Sequence, residues 1–462
     1  MAPRAPKLLL LHPGTLYGGG AVGLTRLKPM LIEFSTFLRS HDVDVSILDL
    51  QTELGNPPPD KADEFIRRGL ERILSFDFDV LGISCWSSYD YLASLAFANL
   101  VRAARPRTRI VVGGYHATAA PDDFVYAGSP FDVLVRGEGE LALLDLLREG
   151  PTRGGAGPCK VVHGTPPPFD RLYFDLDSYP YIVDRPFHLG VFLSRGCPYR
   201  CAFCMDPAAG RTTWRSRSVE QAVELVRSVD AHEPGRLEIN DACFGYKEPW
   251  RREFLTALVD MRFDRLIWAQ MRADRMTSED LDQFQDLNIF PQFGLETMSP
   301  SMAGIMRKAA DGEAYVRAAD KMLHEVNRRG ILAKVFLILN HPGETVETAE
   351  ETVSYFERFV AEHDRITLVI NTEFFHYYVG TDTALRHEHY ERTYGTRFSH
   401  TEWHKERRPQ FELSRDQQAS SSMVDIRPYV ERIRALQPQI IRKMPAAQQM
   451  HFLAHLQHFD QS

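Results

Sequence analysis

Short apolar runs alternate with longer stretches whose apolar residues recur three and four positions apart along the first third of the chain. Lys7–Gly14 (KLLLLHPG), Asp42–Leu50 (DVDVSILDL), Asp79–Ser87 (DVLGISCWS), Arg109–Thr118 (RIVVGGYHAT) and Asp132–Glu140 (DVLVRGEGE) read as strands that run into loops. Between them, Leu27–His41, Ala62–Phe76, Tyr91–Pro106 and Leu141–Gly150 carry the helical period. This alternation predicts an α/β fold that starts with a doubly wound parallel sheet, which takes ligands beyond the carboxyl ends of its strands. The loops there begin at His12, Ser84, Gly113 and Gly137.

The pattern breaks at 151–185, where GPTRGGAGP and GTPPPFD are rich in glycine and proline and read as a linker. A second alternation follows. GVFLSRG, RLEIND, LIWAQM, IFPQFGLE, LAKVFLILN and ITLVINTEF read as strands, with helical stretches such as SVEQAVELVRSV and EAYVRAADKMLHEVNRRG between them. Repeated β/α units predict a partial or full (β/α) barrel, with its chemistry at the C-terminal ends of the strands. The expected division is a front domain at 1–150, a linker at 151–185, a barrel at 186–400 and a helical C-terminal extension at 401–462. The best helix of that extension is VDIRPYVERIRALQPQIIRKM.

The formal net charge of −8 argues against a nucleic-acid binder, and with it against RNA modification. No apolar run reaches the roughly 18 residues of a membrane span, and Leu8–Leu11 is too short for a signal-peptide core. A cytoplasmic protein is expected. In such a reducing compartment, clustered thiols point to metal or catalysis rather than to disulfides.

Cys197, Cys201 and Cys204 are clustered in this way, in LSRGCPYRCAFCMDP on the loop after the first barrel strand. Cys85, Cys159 and Cys243 are scattered and read as ordinary core or surface residues. Structural zinc requires four ligands, and the fourth would have to fold back from His232 or Cys243. Three thiolates suit an iron–sulfur cluster that keeps one iron free of protein ligands.

C-x3-C-x2-C opening a β/α barrel resembles the radical S-adenosylmethionine (SAM) superfamily. The resemblance implies a [4Fe-4S] cluster on Cys197, Cys201 and Cys204, SAM on the open iron, reductive cleavage to a 5′-deoxyadenosyl radical, and hydrogen abstraction from a small molecule. Phe203 would lie beside the adenine. Glu238, Asn240 and Asp241 in RLEIND, Gln270 and Arg272 in WAQMRAD, and Glu296 in QFGLETMS would contact SAM, with Arg272 suited to its carboxylate. Asn340 in FLILNHPGET stands where the family often has glycine, and Val379 in YYVGTDTAL where it has proline.

VVGGYHATAAPDDF followed by DVLVRGEGE resembles the cobalamin-binding front domain of one radical SAM class. Gly113 and Gly114 would let backbone approach the nucleotide tail of the corrinoid, and Ser84 and Ser87 would supply hydroxyls. The Asp-x-His-x-x-Gly motif of cobalamin methyltransferases outside the radical group is absent, and His12 stands in a different pattern. Relatives of the paromamine-dehydrating type keep this architecture and work without cobalamin.

At the barrel mouth, Asp241, Tyr246 and Glu373 are the catalytic candidates, with His341, His376, Tyr377 and Tyr378 as further polar groups toward a substrate, an aminosugar among the options. The leading expectation is cobalamin-dependent C-methylation of a small molecule in bacterial natural-product biosynthesis. A flavodoxin or ferredoxin would donate the electron. The alternatives are a cobalamin-independent dehydratase of an aminosugar, with a reductase partner, and a zinc-stabilised binding protein without catalysis.

Overall fold

The computed structural model describes residues 6–17, 28–150, 154, 157–181, 188–423 and 425–449. The glycine-rich stretch at 18–23 and the end of the C-terminal extension lie outside the described residues.

The front strands are β1 (Leu8–His12), β2 (Val45–Asp49), β3 (Val80–Ser84), β4 (Arg109–Gly113), β5 (Val133–Arg136) and β6 (Lys160–His163). They form one parallel sheet in the order β2-β1-β3-β4-β5-β6. β1 is apolar throughout because both of its faces are covered. Leu8 and Leu10 pack with Phe37, Leu38 and Leu143 from the helices Pro29–Arg39 and Glu140–Arg148. Leu9 and Leu11 pack on the other face with Phe65, Ile73 and Phe97 from Ala62–Leu74 and Tyr91–Ala104. The chain reverses direction across the sheet between β1 and β3, the position at which doubly wound sheets open a ligand crevice.

The segment 151–185 is more than the expected linker. It supplies edge strand β6, and its Phe169 and Leu172 enter the front core while Leu176 and Tyr179 enter the barrel core. KVVH is too short and too exposed to show a pattern among its prolines and glycines.

The second unit starts at β7 (His188–Val191). β8 (Ser194–Arg195) pairs antiparallel with β9 (Arg215–Ser216) and brackets the cysteine loop. β10 (Arg236–Ile239), β11 (Ile267–Met271), β12 (Ile289–Glu296), β13 (Ala333–Leu339) and β14 (Leu368–Phe374) complete a parallel sheet ordered β14-β13-β12-β11-β10-β7. Among the described residues β14 does not pair with β7, so the barrel is partial. Thr345 caps the helix Val346–Glu362, and the expected C-terminal helix is present at Arg427–Lys443. Ile433, Leu436 and Ile440 of that helix join the barrel core, while Arg432 bonds Glu350 and Glu357. A small antiparallel pair, β15 (Arg397–Phe398) with β16 (Gln417–Gln418), lies before it. Among the described residues no helix is long and apolar enough to cross a membrane.

A buried charge network joins the two units. Arg195, next to the cysteine loop, bonds Glu138 (2.8 Å), Glu140 (2.7 Å) and Glu33 (2.7 Å) of the front unit. Arg217 reaches Glu33 at 2.6 Å, and Arg215 also holds Glu138. Burial disfavours the Arg195 charge, but the three carboxylates outweigh it and raise its pKa. Charges this deep are tolerated only when fully paired, so the network fixes where the cysteine loop stands against the front sheet.

Candidate active site between two sheets

The cysteine loop is held by backbone. Gly196 adopts φ +85°, and a Cβ there would lie 2.3 Å from the Thr213 carbonyl oxygen, so only glycine fits. Cys197 N–H donates to Arg211 O at 3.0 Å, Ala202 N–H to Met306 O at 2.8 Å and Cys204 N–H to Cys201 O at 3.1 Å. All three thiols open onto one cavity of about 440 Å³ at the C-terminal ends of the barrel strands. Three thiols suit a cluster that keeps one iron free of protein ligands. Burial raises the Cys201 and Cys204 thiols, so a metal must take the place of their protons.

Cys243 departs from its expected role as an ordinary core residue. It is buried in the wall of this cavity, and its thiol beside Cys197 lowers the Cys197 pKa. Lys308 was also missed. Its ammonium, buried, lies 2.9 Å from Glu296 Oε1. Burial works against that charge, but Glu296 outweighs it and keeps the lysine protonated.

Of the residues expected to contact SAM, Phe203, Gln270, Arg272 and Glu296 line the cavity. Arg272 bonds Asp274 with two nitrogens (2.9 and 3.0 Å) and the Lys308 carbonyl (3.0 Å), and its guanidinium covers the Tyr199 ring. Its Nη1 is buried with no partner, a donor available to an anionic group. Glu238 bonds Arg236 on its own strand and is not among the lining residues. Asn240 is exposed beside Gly190, outside the lining as well.

The catalytic candidates separate. Glu373 lines the cavity, with Arg415 at 2.7 Å and Asn371 at 3.0 Å. Asp241 does not line it. Its buried carboxyl accepts Leu193 N–H (2.8 Å), Ser194 N–H (3.0 Å) and Ser194 O–H (2.5 Å), bracing the entry to the cysteine loop. Burial pushes its pKa up to about 7. Tyr246 packs edge-on against Tyr199 behind the wall. His341 is buried against Phe375, and Tyr377 is buried as well, whereas His376 and Tyr378 reach the cavity. His376 accepts from Arg415 Nε at 2.9 Å, and burial together with that guanidinium lowers its pKa to about 3. Tyr89 of the front unit also reaches this rim, 3.1 Å from Ser414 Oγ.

A second, narrower cavity lies over β1, β3, β4 and β5. It is lined by Gly82, Ser84, Gly113, Gly114, Gly137 and Gly139 together with apolar side chains. Gly114 has φ +114°, and a Cβ there would meet the Cys85 carbonyl oxygen at 2.3 Å. Ser84 lines this cavity. Ser87 instead caps the turn Ser88–Asp90, outside the lining.

Comparison with known families decides what this pair of cavities belongs to. The B12 binding domain model matches residues 33–147 and the radical SAM superfamily model matches residues 191–356. The protein is a radical SAM enzyme with a B12-binding front domain. An uncharacterized methyltransferase of Pyrococcus horikoshii is 25% identical over 78% of this chain and 80% of its own length. The 2-(S-pantetheinyl)-carbapenam-3-carboxylate methyltransferase of Streptantibioticus cattleyicolor is 32% identical over 40% of this chain, which spans only 30% of that relative. The methyltransferase TsrM from Kitasatospora setae, solved with cobalamin and a [4Fe-4S] cluster bound, shares the fold at TM-score 0.67 and 16% identity, covering 96% of this chain and 94% of its own.

The B12-binding and radical SAM domains are linked at the cavities themselves. Trp86 and Arg211 line the glycine slot, and Asp206 lines the thiol cavity. Between them Arg211 Nη1 donates to Tyr115 Oη at 2.8 Å, and Tyr115 O–H donates to Asp206 Oδ1 at 2.7 Å. Trp86 meets the Tyr115 ring edge-on at 4.6 Å. The donor sets fit their cofactors: three thiols for a [4Fe-4S] cluster, the free Arg272 nitrogen for a carboxylate of SAM, and a glycine-rich, largely apolar slot for cobalamin.

Proposed function

We propose that this enzyme transfers a methyl group to a carbon of a small molecule, with a flavodoxin or ferredoxin as the one-electron donor. When bound, the cluster, SAM and cobalamin supply the electron, the radical precursor and the methyl group. The chain's own residues bind, orient and seal. The observation that carries the reading is the short bridge Trp86–Tyr115–Arg211–Asp206 between a glycine-rich slot and a cavity with three thiols, which brings two cofactor sites to one centre. The methyltransferase relatives support the same reading.

Cys197, Cys201 and Cys204 hold the cluster. Arg272 fixes a carboxylate through its unpaired Nη1, backed by Asp274 so that the guanidinium does not turn. Glu373 is held by Arg415 and Asn371 at the rim and orients a hydroxyl or ammonium group of the substrate. The aromatic wall of Phe203, Phe336, Phe374 and Phe375 keeps water from the reacting carbon. His376, kept neutral by burial and by Arg415, fixes the shape of that rim.

The test is anaerobic turnover of reconstituted protein with SAM deuterated in its methyl group. A product that gains the labelled methyl, formed only when the protein shows corrinoid absorbance, is the expected result. An unlabelled, dehydrated product from corrinoid-free protein would overturn the assignment.

A further inference from the structure

A third group of metal-type ligands lies away from both cofactor cavities. His116 is on the short helix Tyr115–Ala119, Asp123 ends the turn Pro121–Asp123, and His404 is in the turn Trp403–Lys405 of the C-terminal part. One ligand atom from each lies within 4.8 Å of the others, and among the described residues no other set of three or more His, Cys, Asp or Glu does so. Both imidazoles are buried, and the Asp123 side chain is 9% exposed.

The orientation is specific. Ser88 Oγ lies 2.9 Å from His116 Nδ1 and turns the other ring nitrogen inward. His116 Nε2 then lies 3.1 Å from Asp123 Oδ2, in contact with the carboxylate but without the alignment of a geometric hydrogen bond. His404 Nε2 approaches the same oxygen at 2.8 Å. Tyr91 and Phe124 pack against the imidazoles. Two imidazole nitrogens and a carboxylate oxygen converging in an apolar shell, with one ring oriented from behind by a hydroxyl, is the arrangement of a zinc site. Lys405 holds the other oxygen, Oδ1, at 2.7 Å; half-exposed, it also bonds Glu402 at 2.5 Å and can move to it when a dication binds.

We propose that His116 Nε2, Asp123 Oδ2 and His404 Nε2, with one water as the fourth ligand, bind a zinc ion that fastens the C-terminal segment to the B12-binding domain. The segment so fastened carries Ser414 and Arg415, which hold His376 and Glu373 at the rim of the thiol cavity, and Trp403, whose Nε1–H bonds the Tyr377 carbonyl at 2.5 Å. The ion stabilises that wall and takes no part in the radical chemistry.

The test uses the full chain with Cys197, Cys201 and Cys204 all changed to alanine, so that zinc on the cluster thiols cannot contribute. Zinc titrated into metal-stripped protein should bind at one equivalent and raise the melting temperature. Adding His404→Ala should weaken binding at least 100-fold and abolish the rise. Cobalt(II) bound in place of zinc should show tetrahedral bands without thiolate charge transfer, which reads the ligand set without relying on the His404 variant. Less than half an equivalent of bound zinc, or the same affinity with and without His404, would overturn the proposal.

Discussion

Both cofactor cavities open where parallel strands end, yet they are built by opposite means. The slot over the B12-binding sheet has Gly82, Gly113, Gly114, Gly137 and Gly139 among apolar side chains, so it recognises chiefly by the room its glycines leave. The barrel cavity carries Cys197, Cys201, Cys204, Arg272, Glu296 and Lys308, so it recognises by placing charges and thiols. A site made by omission fails through bulk, whereas a site made of ligands fails through loss of one atom. The two should therefore break independently. Cys201→Ala is expected to abolish 5′-deoxyadenosine formation and lower bound iron while corrinoid binding stays intact. Iron and cobalt analysis of one preparation checks this; loss of both metals together would show that the cavities are not separable.

The network around Arg195 is an exception, because it belongs to both units. Arg195→Met leaves Glu33, Glu138 and Glu140 buried without their shared cation. Breaking a buried pair costs about 3–5 kcal/mol. The variant should unfold at clearly lower denaturant and bind both cofactors less well. If it loses only corrinoid, the network serves the front domain alone.

Gly114→Val tests the slot from its own side. Its φ of +114° and the 2.3 Å approach to Cys85 O make any Cβ a strain, worth about 1–3 kcal/mol for the backbone conformation. Corrinoid affinity should fall at least tenfold with iron content unchanged. Undiminished corrinoid absorbance in the purified variant would move cobalamin out of this slot.

These differences also explain what the sequence could show. The cysteine spacing and Gly113–Gly114 are local, and both were legible with the strands that carry them. Asn340 sits at φ +65°, which explains why glycine is usual there and why asparagine substitutes. What stayed hidden is long-range pairing. Cys243 meets Cys197 and Lys308 meets Glu296 through the folding of separate β/α units, and Arg195 finds its carboxylates more than 50 residues away. Asp241 misled because a carboxylate just after a barrel strand has the address of a catalytic group. The amides of Leu193 and Ser194 needed an acceptor and claimed it. Glu238 could have been read correctly: Arg236, two residues earlier on one strand, is on the same face.

Buried carboxyls extend the contrast to pH. In the B12-binding domain, burial alone would raise Asp49, but its bond to His12 outweighs this and lowers it to about 2. Its contribution to stability is present above the ordinary aspartate range and is lost as pH falls toward 2. Asp241 runs the other way. With its folded pKa raised from 3.8 to about 7, it binds its proton more tightly when folded, and that stability is present below pH 4 and lost as pH rises to 7. Asp241→Asn keeps an oxygen for the two amides and has no charge to bury. Relative to the parent it should therefore gain about 2 kcal/mol of barrel stability between pH 5 and pH 7, and little more above that. Denaturant unfolding of both proteins at pH 5, 6 and 7 measures it. Parallel stability curves would mean that Asp241 is ionised throughout, and that the entry to the cysteine loop is braced by a carboxylate rather than by a carboxylic acid.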